Sequence, residues 1–84
     1  MSPFHEAPQG VLMQIALYAR PLDYRQGYVV RAWYIAQGRI GASKAAQLFD
    51  DERSARVWVR RNYPWVYELG RMPDDEPQIV TVWT

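Results

Sequence analysis

Between Phe49 and Pro64 the chain reads Phe-Asp-Asp-Glu-Arg-Ser-Ala-Arg-Val-Trp-Val-Arg-Arg-Asn-Tyr-Pro, a helix start signal, an apolar face and a stop signal in one stretch. Asp50 stands where a side chain accepts hydrogen bonds from the free amides of a first turn, and Asp51 and Glu52 put negative charge at the positive end of the helix dipole. Arg60 and Arg61 complement the other end. Pro64 confines Tyr63 to extended geometry, so the helix is expected to finish near Asn62. Ala55, Trp58, Val59 and Asn62 share one side, with Asp51 at its edge, and this side is expected to pack on the rest of the fold with Trp58 as the main anchor. The other side presents Arg53, Arg56, Val57, Arg60 and Arg61; the spacing of Arg53, Arg56 and Arg60 by three and four predicts one basic stripe.

The flanks of this helix predict strands. In residues 11–20, Met13, Ile15, Leu17 and Ala19 alternate with Gln14, Ala16, Tyr18 and Arg20, the period of a half-buried strand that Pro21 stops. Leu22 to Gly27 reads as a hairpin connection. Tyr28 to Gln37 is rich in β-branched and aromatic residues on both faces, which predicts a central strand with the helix on one side. After the helix, Trp65 to Arg71 reads as a short strand, 72–77 as a turn, and Gln78 to Trp83 as a last strand. Residues 1–10, with Pro3, Pro8 and Gly10 and no periodicity, read as a loose leader.

Residues 40–49 admit two readings. In one, a third antiparallel strand runs straight into the helix. In the other, Ser43 caps a short helix over Lys44 to Phe49, since Ala45, Ala46, Gln47 and Leu48 favour helix. The second reading resembles the helix-turn-helix of transposases and excision-type regulators at Ala45, Ala46, Leu48, Phe49, Trp58, Val59, Arg60 and Arg61. It departs from that pattern at the turn: Asp50 replaces a residue tolerant of left-handed geometry, and Asp51 an apolar side chain that would be buried. With strand-rich flanks, the strand reading is the better one. The expected fold is then α+β, an antiparallel sheet of four to five strands packed against one α-helix in the order β-β-β-α-β-β.

Eighty-four residues give room for one domain and bury only about 60 to 65 % of the unfolded surface, which disfavours an elaborate cleft. Without cysteine the chain has no disulfide, thiolate site or thiol nucleophile, and its composition suits a reducing compartment. Gln14, Arg20 and Arg31 interrupt every apolar stretch well before the roughly 18 residues of a membrane span. A net charge of +1 argues against a strongly basic nucleic-acid coat and against an acidic DNA mimic. Nine of the ten basic residues are Arg, the better residue for forked contacts to carboxylate or phosphate; a GC-rich genome produces the same bias.

No catalytic, metal or cofactor signature is present, so the chain is expected to be no enzyme. His5 has no second ligand near it and reads as a solvated tail residue. Asp50 to Glu52 reads as a helix cap and Asp74 to Glu76 as an exposed turn between prolines, without the alternating ligands and Gly turn of a calcium loop. Ser2, Ser43 and Ser54 have no histidine partner. What remains is binding. The candidate partner-binding residues are Arg53, Arg56, Val57, Arg60 and Arg61 on the helix, with Tyr63 and Trp65 at its rim, since twelve aromatics exceed the needs of so small a core. The expected partner is a protein with an acidic or nucleic-acid-binding surface, direct nucleic-acid contact being the competing reading and a solvated helix face the plain one. The chain would act as a monomer or homodimer.

Around the helix the chain resembles the small phage-encoded anti-CRISPR proteins of bacterial type I systems, in which strands lead through a Phe-Asp step into one helix that ends in Trp-hydrophobic and a Pro. Phe49, Asp50, Trp58, Val59 and Pro64 carry the resemblance, which covers residues 38–64. It implies a stoichiometric inhibitor in the host cytoplasm that binds the Cascade surveillance complex or its nuclease and blocks target DNA binding or nuclease recruitment.

Overall fold

The computed structural model describes residues 10–84, the side chains of residues 43–45 excepted. The expected leader, with His5, lies outside the described residues but for Gly10. The chain is α+β: one antiparallel sheet and one helix, in the order β1 (Leu12–Ala19), β2 (Tyr28–Ala36), β3 (Arg39–Phe49), α1 (Glu52–Asn62), β4 (Glu68–Gly70) and β5 (Ile79–Trp83). Residues 40–49 belong to β3, so the short helix and the helix-turn-helix built on it are not formed. Two acidic residues in succession at Asp50 and Asp51 suit the surface start of a helix and would be costly in the buried turn of that motif.

Across the sheet the strands lie in the order β3-β2-β1-β5-β4. Both β2 and β1 are interior, but the middle position belongs to β1, because β5 returns to pair with its free edge. This overturns the half-buried reading of β1: Ile15 and Leu17 are buried on the helix side, and Ala16 and Tyr18 are buried on the other. Gly38, at φ 70°, makes the two-residue turn from β2 into β3. Register shifts interrupt three ladders, between Arg31 and Trp33 where β2 meets β3, between Leu17 and Tyr18 where β1 meets β5, and between Glu68 and Gly70 where β4 meets β5.

The helix lies on one face. Ala55 and Val59 are its fully buried residues and join Ile15, Leu17, Val30, Ala32, Tyr63 and Trp83 in the main core. Trp58 is only half-buried at the edge of this core, so the anchor is the small pair Ala55 and Val59. Small residues let the helix sit close to the sheet, which leaves the large indole at the shoulder. Asp51, one residue later than expected, is the cap: its carboxylate accepts from the Ser54 amide at 2.7 Å. At the other end the Tyr63 amide donates to the Val59 carbonyl, and the helix stops at Asn62 as its proline predicted. β4 is shorter than expected, since a turn closed by the Val66 amide on the Tyr63 carbonyl takes up its beginning and Gly70 at φ 79° ends it.

Two stability predictions follow the packing. Leu17→Ala should cost about 2 to 5 kcal/mol in chemical denaturation, whereas Ile40→Ala, at a position 71 % exposed, should stay within about 0.5 kcal/mol. At Gly27 a Cβ would lie 2.4 Å from the backbone oxygen of Phe49, so Gly27→Ala should cost about 1 to 3 kcal/mol by pushing the start of β2 off the end of β3. A wild-type unfolding midpoint for Gly27→Ala would show that the two strand ends do not meet.

Candidate functional site

Side chains on a helix advance by about 100° per residue, which spreads the Arg-rich side from one shoulder of α1 to the other. Arg53, Val57 and Arg61 recur every four residues and drift slowly toward Trp58. Arg56 lies toward the other shoulder, nearer Val59, and Arg60 falls between it and Arg53 on the exposed face. Arg53, Arg56 and Arg60 fall within about 60° of one another around the helix axis, so the expected stripe lies along α1, with Arg56 at its sheet-facing edge.

Arg56 faces β4 and β5. Arg56 Nε donates to Glu52 at 2.9 Å and its Nη1 to Glu68 at 2.7 Å, while its guanidinium carbon stands 6.0 Å from the centre of the Trp83 ring. The same Glu68 oxygen accepts from the Thr81 hydroxyl at 2.6 Å. Thr81 is buried, and the hydrogen bonds from its hydroxyl and from Arg56, in that order, hold the Glu68 carboxyl below its usual range. Arg56 thus ties the helix to the sheet edge, a structural role beside the partner-binding one expected of it. Arg60 lies exposed beside this cluster, in the small cleft it shares with Arg56, Glu68 and Trp83.

The row of Arg53, Val57 and Arg61 borders a groove. Phe49, Val57 and Trp58 form an apolar floor of a depression of about 340 Å³, and Arg53, Ser54 and Arg61 line its edges. Arg53 and Arg61 are exposed, whereas Val57 and the two rings are half-buried. From this floor a line of rings runs through the core: Phe49 to Trp58 at 5.9 Å between centroids, Trp58 to Tyr63 at 5.9 Å, and Tyr63 to Trp65 at 5.6 Å. Tyr63 is 3 % exposed and belongs to the core, so its assignment to the binding rim is corrected. Trp65, 58 % exposed, stands at the outer end of the line. Tyr67, Leu69 and Met72, later in the chain, are exposed as well.

Of the seven expected site residues, then, the structure brings Arg53, Val57 and Arg61 together. Phe49, Ser54 and Trp58 are the groove residues that the sequence reading missed. For Trp58 the signal was present, since it precedes Arg61 by three residues on the helix, a spacing that brings a ring beside a guanidinium; Phe49 ends β3 and no helical spacing announced it. An apolar floor between two forked donors suits a side chain that is apolar along its length and anionic at its tip, or an acidic segment with one anchoring ring. Three of the six residues in the acidic clusters have structural partners: Asp51 caps the helix, Glu52 pairs with Arg56, and Asp75 accepts from the Met72 amide at 2.7 Å. Among the described residues no three His, Asp or Glu side chains gather as metal ligands, and no helix is long and apolar enough to cross a membrane.

The helix cap and the Arg56 clamp both depend on pH. The Ser54 amide, followed by the Ser54 hydroxyl, lowers the Asp51 pKa, as Thr81 and Arg56 lower that of Glu68. Carboxyls with depressed folded pKa values add stability that is present above their unfolded values, about 3.9 to 4.3, and lost as pH falls through the folded ones. The thermal midpoint should therefore fall below about pH 4.5. In Glu68→Gln the loss should be shallower, and an acid limb identical to wild type would remove Glu68 from it.

No family model, no curated protein and no solved structure matches this chain.

Proposed function

We propose that the chain is a small non-enzymatic binding protein that acts by occupying a partner's surface, with the α1 groove as its contact. The observation that carries this reading is the apolar floor of Phe49, Val57 and Trp58 set between the exposed Arg53 and Arg61. The partner is a protein that offers an acidic, apolar-anchored segment. Arg60 and Trp65 lie beyond the two sides of the groove and belong to the rim of a larger contact.

The narrower reading is an inhibitor encoded by a phage or mobile element that works in the bacterial cytoplasm on the type I surveillance complex, Cascade, or on its nuclease, and prevents target DNA binding or nuclease recruitment. What supports it is the resemblance over residues 38–64. Strand β3 passes through Phe49 and Asp50 into a single helix, and Phe49 and Trp58, two residues of that resemblance, are groove residues. The DNA-binding alternative has lost its helix-turn-helix, since residues 40–49 are strand.

The double variant Arg53→Ala/Arg61→Ala should keep the wild-type melting temperature and weaken capture of the partner by about 1.5 to 3 kcal/mol per arginine that meets a carboxylate. The wild-type association rate should fall as salt rises. Measured against purified Cascade, its nuclease and duplex DNA in parallel, unchanged binding of the folded variant would overturn the groove. Failure of the wild type to bind either CRISPR component would overturn the narrower reading alone, and steep loss of duplex affinity with log salt would favour DNA.

A further inference from the structure

Among the described residues, no helix covers the face of the sheet turned away from α1. Its centre is a second small core of Ala16, Tyr18 and Val29, with Trp33, Ile79 and Val82 packed at its edge. Two depressions of about 300 and 250 Å³ adjoin there, sharing Tyr18, Trp33 and Glu76. Together they make a trough whose floor is apolar, from Ile79 and Val82 across Trp33 to Ile35 and Ile40. Ile40, on the outermost strand, is 71 % exposed, so the trough opens at that side.

Its wall is acidic. Asp74, Asp75 and Glu76, in the loop between β4 and β5, all border the trough. Their charge is directed at the floor: the Tyr18 hydroxyl is raised above its ordinary pKa by burial first, and then by Glu76 and Asp75, against the lowering effect of the Trp33 indole that donates to it at 2.8 Å. The arginine in the trough, Arg31, is bound to Asp23. Among the described residues no salt bridge engages Asp74, Asp75 or Glu76. An apolar floor beneath uncompensated carboxylates complements a ligand of opposite pattern.

We infer that this trough is a second docking surface, independent of the α1 groove, and that it takes an extended basic segment of a protein partner in which apolar side chains alternate with Arg or Lys. The apolar side chains lie on Trp33, Ile35 and Ile40, and the cations meet Asp74 and Glu76. With the arginine-bordered groove on the opposite side, the molecule presents two faces of opposite charge preference on a single sheet. It can bridge a basic and an acidic surface.

A labelled nonapeptide of alternating Arg and Val tests this by fluorescence anisotropy at low salt, against the same peptide with Glu for Arg. Asp74→Asn/Glu76→Gln should lower affinity at least tenfold, and Ile40→Ser at least threefold, both with wild-type melting curves; Asp75 is left intact because it accepts from the Met72 amide. Arg53→Ala/Arg61→Ala should bind as wild type, which separates this surface from the α1 groove. Equal affinity for the Glu peptide, no binding by the wild type, or unchanged binding in both trough variants would overturn the inference. So would a concentration-dependent dimer in sedimentation that the trough variants abolish, since a second copy would then be the occupant.

Discussion

The fold depends on how closely α1 can lie against the sheet. Strands β1 to β3 form a meander, but β5 and β4 lie on the other side of β1, and the chain reaches them only after the helix. Ala55 and Val59, both fully buried, are what the helix sets against that sheet face. Had bulky residues stood at these positions, the helix would ride higher, and Tyr63 and Trp83 would lose the enclosure that makes them core. Burying Tyr63 and Trp83 with the aliphatic side chains of β1 and β2 is the main favourable term in a domain this small, where little core is available to offset chain entropy.

The same closeness distributes the arginines. A helix that packs by a narrow strip of small residues exposes both shoulders. One shoulder meets β4 and β5, where Glu68 and Trp83 capture Arg56; on the other, Trp58 stands half out of the core and becomes a floor with Phe49. Structural and available cations thus sit on the same helix, Arg56 three residues after Arg53 and five before Arg61. The exposure of Arg53 and Arg61 beside a hydrophobic floor is what makes that shoulder suited to recognition, because guanidinium groups already committed to carboxylates add little to a new contact.

Local signals carried most of the architecture. Caps, prolines and alternating apolar residues located the helix and each strand within a few residues, because those features act over one or two turns of chain. What they did not carry were facts created by distant partners. The two-sided burial of β1 arises from its pairing with β5, Ile15 with Trp83 and Leu17 with Thr81, and nothing within residues 11–20 announces it except the apolar Ala16 and Tyr18 on the supposedly solvated face. Arg56 could not be told from Arg53 by helical spacing alone, since its fate was decided by Glu68, twelve residues on. Tyr63 was lost to the core for a similar reason: Trp58 and Trp65 close over it from both sides.

Placing β5 beside β1 also governs the order in which the molecule can be made. The Thr84 hydroxyl reaches the Met13 carbonyl across 71 positions of sequence, and the β1 edge that β5 fills lies at the centre of the sheet. During synthesis the first three strands and the helix leave the ribosome while that central edge is still bare. Its backbone groups and the apolar side chains around them stay open until residues 79–83 pair with it, a contact of high sequence separation whose loop-closure entropy must be met before the pairing rewards it. A chain caught in that state offers a ready template for pairing with another strand.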